Sequence, residues 1–105
     1  MFNTLKKLFG FGPKVNYADL ILQGAIVLDV RSKGEYAAEH IKGSINIPVD
    51  TLSNNIFQFK DKNQPIITCC ASGMRSASAK NILKSNGFTK VYNGGGWSSL
   101  LNKIS

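Results

Sequence analysis

Pro65-Ile66-Ile67-Thr68-Cys69, then Cys70-Ala71-Ser72-Gly73-Met74-Arg75-Ser76, then Ala77-Ser78-Ala79-Lys80-Asn81-Ile82-Leu83-Lys84, is the stretch that decides how the chain reads. Its first part is β-branched and apolar, which predicts a buried strand. Its last part is helix-compatible. Between them lies a short loop of small residues. A strand that stops, such a loop and a helix that starts make a cup whose backbone N–H groups and helix N-terminus converge on one spot, a setting for an anion. A cysteine at the rim of such a cup is biased toward thiolate, the nucleophilic form. Cys70 is therefore the candidate nucleophile.

The chain has 105 residues, 43% hydrophobic and 18% charged, enough for one domain with a single core. Its two cysteines are adjacent. Neighbours in a strand point to opposite faces, so Cys69 and Cys70 are poorly placed to bridge each other, which excludes a disulfide framework and favours a reducing, cytoplasmic setting. The net charge is +7, from lysines spread along the chain and only two arginines. There is no basic block with interleaved aromatics, so nucleic-acid binding is not expected. A solvated lysine surface that attracts small anions or acidic partners is. A single histidine leaves no zinc-ligand spacing, and no cofactor is implied. No apolar run approaches the roughly 20 residues of a spanning helix.

Residues 1–13 read as an extension and hinge before a domain at 14–105. In Met1 to Phe11, Phe2, Leu5, Leu8 and Phe9 fall at helical spacing beside Lys6 and Lys7. The favoured reading is a helix packed on the domain. A basic interfacial anchor at a membrane surface and a flexible tail are the alternatives. The segment lacks the apolar core and cleavage site of a signal peptide. Gly10, Gly12 and Pro13 break the pattern.

Asn16 caps a short helix, Tyr17 to Leu22. Ala25 to Val30 is apolar apart from Asp29, as in a strand buried on both faces of a parallel sheet. Ser32 and Glu35 fit a capping box opening a helix to about Glu39. Ser44 to Ile47 is a short strand stopped by Pro48. Asp50 to Phe57 is a weak helix. After the decisive stretch, Asn86-Gly87 closes its helix. Thr89 to Tyr92 is a strand, Gly94-Gly95-Gly96 a sharp turn, and Trp97 to Ile104 a last helix. Strands joined by helix-length connections predict an α/β layer structure with a mostly parallel sheet, whose ligands bind beyond the carboxyl ends of the strands. Arg31 and the glycine run follow such ends.

In order, Leu28-Asp29-Val30-Arg31 with Glu35-Tyr36, then His40-Ile41-Lys42-Gly43-Ser44-Ile45-Asn46-Ile47-Pro48, then Cys70 to Ser76, and finally Gly87-Phe88, Val91, the glycine run and Trp97 resemble the signatures of a single-domain rhodanese, a sulfurtransferase. The resemblance covers about Asn16 to Leu101. It implies a rhodanese-like three-layer sandwich, with about five strands in a mostly parallel central sheet flanked by helices. Glu39 stands where the family usually has Gly, and Trp97 follows Gly96 more closely than usual.

The resemblance also implies the reaction. A Cys70 thiolate attacks the outer sulfur of a small anionic donor such as thiosulfate, and sulfite leaves. The resulting persulfide passes its sulfur to a thiol, to cyanide or to a protein acceptor, which is two-step covalent catalysis. No general acid is needed, so His40 reads as a structural hydrogen-bonding residue. The amides from Ala71 to Ser76 would hold the anion, and Gly73 supplies the backbone freedom. The Ser72 and Ser76 hydroxyls add donors, or Ser76 caps the helix. Arg75 binds the anionic end of the donor, or pairs with a carboxylate. Met74 forms an apolar lip. Asp29 and Arg31 support the rim. Cys69 is core filler, with a second sulfur-carrying thiol as the alternative. Two other functions stand beside this one. A non-enzymatic sulfur-carrier module would keep Cys70. Phosphatase or arsenate reductase chemistry would need five residues between Cys and Arg, where this loop has four.

Overall fold

A computed structural model describes residues 15–105; the readings of residues 1–13 and of the apolar stripe in 1–11 lie outside the described residues. Every strand runs parallel to its neighbours. The elements are α1 (Tyr17–Leu22), β1 (Ile26–Asp29), α2 (Lys33–Ala38), β2 (Ile45–Asn46), α3 (Leu52–Asn55) between two single 3-10 turns, β3 (Ile66–Cys70), α4 (Met74–Ser85), β4 (Val91–Gly96) and α5 (Trp97–Ile104). The sheet order is β2-β1-β3-β4. Among the described residues it has four strands, against the expected sandwich's count of about five. The segments without a β-branched or apolar run, such as Lys60 to Gln64, add none.

β3 lies between β1 and β4, and all five of its residues are buried. Alternation along it divides the core. Ile66 and Cys70 face one cluster, with Leu28, Val30 and Leu83; Ile67 and Cys69 face another, with Val27, Ile41 and Leu100. The first cluster is covered by α3 and α4, the second by α1 and α5, giving three layers. Burial of these aliphatic side chains is the main stabilising term, on the order of 1.5–3 kcal/mol for each.

The capping box at Ser32 and Glu35 is present in both directions. Glu39 causes no difficulty. Its backbone is extended (φ −165°), a conformation any residue adopts, and its carbonyl accepts from Arg31. His40 is exposed, stacks on Tyr36 and bonds the Tyr36 carbonyl.

The glycine run is not a turn but the end of β4. A Cβ on Gly94 would lie 2.8 Å from Ile67 Cγ2 and 2.9 Å from the Thr68 carbonyl oxygen; one on Gly96 would lie 2.8 Å from the Ala71 carbonyl oxygen. The glycines are there because β4 presses against β3 and its loop. The ladder pairs Thr68 with Asn93 and Cys70 with Gly96, so β4 carries one extra residue at the carboxyl end of β3, a bulge. Among the described residues, no helix is long and apolar enough to cross a membrane.

Candidate active site

Cys70 is the last residue of β3, with 0% of its surface exposed. Its Sγ accepts from the Gly73 N–H (2.9 Å) and the Ser76 N–H (3.3 Å). Gly73 makes this geometry. At φ +105° it occupies the left-handed region, which costs a side chain strain, and it turns the loop back so that its own N–H reaches the sulfur. Gly73 also stands at the N-cap of α4 and offers no side chain to the free N–H groups of the first turn. One of those groups, from Ser76, is directed at Cys70. Two donors at the positive end of a twelve-residue helix thus meet one sulfur atom. Of the amides from Ala71 to Ser76 expected to hold the anion, those of Gly73 and Ser76 contact Cys70 Sγ.

The Ser76 hydroxyl takes neither expected role. It is buried inside α4 and lies 2.9 Å from Thr68 Oγ1 and 2.5 Å from Asn93 Oδ1. Asn93 Oδ1 also accepts from the Gly95 N–H at 2.9 Å. An N–H can only donate, so the oxygen of Asn93 faces Gly95. Ser76 then donates to Asn93, and the single Thr68 hydroxyl proton has the Ser76 carbonyl oxygen (3.0 Å), the Ser76 Oγ (2.9 Å) and the Tyr92 carbonyl oxygen (3.3 Å) within reach. This chain of bonds ties α4 to β3 and β4 at the residue whose N–H contacts Cys70.

Arg75 is paired with a carboxylate. Its two terminal nitrogens meet the Glu35 oxygens at 2.7 and 3.0 Å. The same carboxylate accepts from the Ser32 N–H and hydroxyl, both at 3.0 Å. Arg75 first, then Ser32, holds the Glu35 carboxyl down at about 2. One acid therefore links the start of α2 to the start of α4. Ala71 and Ser72 are exposed, and so is Met74, at 80%.

Asp29 and Arg31 form a buried bidentate pair. Arg31 also donates to the Glu39 carbonyl at 2.7 Å and stacks over Trp97 at 4.9 Å. The register sets Asp29 beside Cys69, not Cys70. The pair braces the strand end from the second core cluster. Cys69 lies there, and burial first, with Asp29 adding to it, pushes its thiol up to about 12.

Sequence reasoning missed three members of this arrangement. Glu35 was read as a capping residue and as part of a signature, but not as the partner of Arg75. Thr68 is the one hydroxyl in an apolar strand. Asn93 stands directly before the glycines. Isolated polar residues at buried strand positions are the mark of such a network.

A family model for the rhodanese-like domain matches residues 14–103. The thiosulfate sulfurtransferase PspE of Escherichia coli is 40% identical over 70 residues, covering 66% of this chain and 67% of that protein. The chain spans 24% and 16% of two longer curated relatives that it matches. Among solved structures, a rhodanese with anions from E. coli superposes with a TM-score of 0.68 at 36% identity, over 72% of this chain and 91% of that one. A human single-domain sulfurtransferase superposes with a TM-score of 0.71 at 28% identity, over 85% and 92%. The chain belongs to the rhodanese family.

Proposed function

We propose that this protein is a sulfurtransferase of the thiosulfate sulfurtransferase type, working through a Cys70 persulfide. The observation that carries the reading is the convergence of the Gly73 and Ser76 N–H groups on Cys70 Sγ in a chain of this family. The thiolate attacks the outer sulfur of thiosulfate, the sulfur–sulfur bond of the donor breaks, and sulfite departs with the electron pair and needs no proton. The persulfide carries one negative charge, and the fixed donors stabilise it without reorganising. In the second step a thiolate or cyanide attacks the outer sulfur, and Cys70 leaves as thiolate.

Arg75 weighs against phosphatase or arsenate reductase chemistry, because its guanidinium is already engaged by Glu35 rather than open to an oxyanion. In this reading Arg75, like Asp29 and Arg31, is a support, while Gly73 and Ser76 act through their amides. The catalytic unit begins after the 1–13 extension. The two free cysteines suit a reducing, cytoplasmic setting. The test is direct. Thiosulfate treatment should add one sulfur to Cys70, read by mass spectrometry of the peptides, and cyanide should then release thiocyanate over many turnovers. Sulfur on another residue, or no thiocyanate, would overturn the assignment.

A further inference from the structure

A groove of about 410 Å³ opens beside the catalytic loop, within the size range of small-molecule sites. Its floor includes Val30 and Val49, and Arg75 contributes to its wall. The floor adjoins the nucleophile. The Val30 N–H bonds the Cys69 carbonyl at 2.9 Å, and Val30 shares a buried cluster with Cys70. The Val49 N–H in turn bonds the Val30 carbonyl at 3.1 Å.

Two further lining residues, Lys33 and Asp50, are both exposed and of opposite charge. Among the described residues the ion pairs are Asp29–Arg31 and Glu35–Arg75, so neither Lys33 nor Asp50 has a charged partner. Arg75 is neutralised by Glu35. The groove therefore presents one open ammonium and one open carboxylate over an apolar floor, one strand away from Cys70.

We propose that this groove binds the sulfur acceptor, and that the acceptor is a small amino-acid thiol carrying both a carboxylate, met by Lys33, and an ammonium, met by Asp50. The inference rests on the sulfurtransferase reading and names its second substrate. The acceptor thiol loses its proton to solvent. Its thiolate forms a bond to the outer sulfur of the Cys70 persulfide, and the persulfide sulfur–sulfur bond breaks. Cys70 recovers the electron pair, and the product is the acceptor persulfide. No oxidant or reductant enters.

The experiment compares acceptors with thiosulfate as donor, using the full chain and rates expressed per thiolate. Cysteine carries both groups, 3-mercaptopropionate the carboxylate alone, cysteamine the ammonium alone, and cyanide neither. The expected kcat/KM for cysteine exceeds that for either single-charge thiol by about fivefold, the scale of one solvent-exposed ion pair. Lys33→Glu should lower cysteine and 3-mercaptopropionate relative to cysteamine by about the same factor; Asp50→Lys should lower cysteine and cysteamine relative to 3-mercaptopropionate. Unranked thiols, or variants that leave the ranking unchanged, would overturn the proposal. So would a Lys33→Glu protein in which only the KM for thiosulfate rises, since the groove would then serve the donor. Cyanide separates the two levels. Wild-type protein that forms no thiocyanate refutes the sulfurtransferase reading itself; thiocyanate formation with unranked thiols refutes only the acceptor groove.

Discussion

Cys69 and Cys70 are neighbours in sequence, both fully buried, and chemically identical. Their surroundings differ in one respect that matters. Cys69 points into an apolar cluster beside the Asp29 carboxylate, where burial penalises its anion. Cys70 points to the other side of the sheet and receives two backbone N–H groups. The lesson is that burial alone does not decide whether a thiol is inert. Directed donors do, and here the pleat of one strand separates the two cases.

The largest expected difference is between the cysteines themselves. Cys70→Ser should abolish sulfur transfer while Cys69→Ser keeps most of it, measured as thiocyanate formation; equal losses would erase the distinction. The second contrast lies between the ion pairs on the two sides. Removing Arg31 leaves a buried, unpaired Asp29, so Arg31→Met should cost about 3–5 kcal/mol in denaturant unfolding. Arg75→Met breaks an exposed pair and should shift the same curve far less. A comparable cost for both would show that burial does not set the weight of these two pairs.

Third, Asn93→Ala removes the acceptor that fixes the Ser76 hydroxyl. The Ser76 amide should then hold Cys70 less well, with kcat down about tenfold, below the loss for deleting a donor outright, and KM for thiosulfate little changed. The Ser76 amide proton resonance, which should respond to persulfide formation in the wild type, should respond less. An unaltered resonance would reduce Asn93 to packing.

The smallest effects are in pH dependence. The folded-state value of Glu35, about 2, lies below its ordinary 4.5, so its stabilisation is complete above about 4.5 and is lost as pH falls toward 2. For Cys69 the folded value, about 12, lies above 9.0, so its share is complete below about 9.0 and is lost as pH rises toward 12. Unfolding curves of Glu35→Gln and Cys69→Ala should be flatter in the acid and alkaline windows respectively. At neutral pH a thiol reagent should modify Cys70 ahead of Cys69; simultaneous modification would contradict the division drawn above.

The decisive stretch was readable because β-branched residues, small loop residues and helix formers succeed one another there without conflict. The parallel arrangement followed from alternation of strands and helices. The glycine run misled because glycine marks both turns and close backbone contacts, and only the position of β3 beneath it separates the two. The Asp29–Arg31 pair was legible because its members stand two residues apart. The carboxylate that Arg75 meets, Glu35, lies 40 positions away and depends on how the starts of α2 and α4 come together, which spacing alone does not fix. Ser76 was readable as important, but its hydroxyl bonds reach residues 8 and 17 positions away in the chain.

The glycines of β4 also set the terms on which this site can be re-tooled. Gly94 and Gly96 are fixed by space, and Gly95, at φ +79°, by backbone conformation. A designer seeking a new specificity would find that wall closed to new side chains. Ser72 on the loop and Met74 at the start of α4, both exposed, and Lys33 and Asp50 on the groove are the positions where the mouth can be rewritten while the sulfur cradle stays intact.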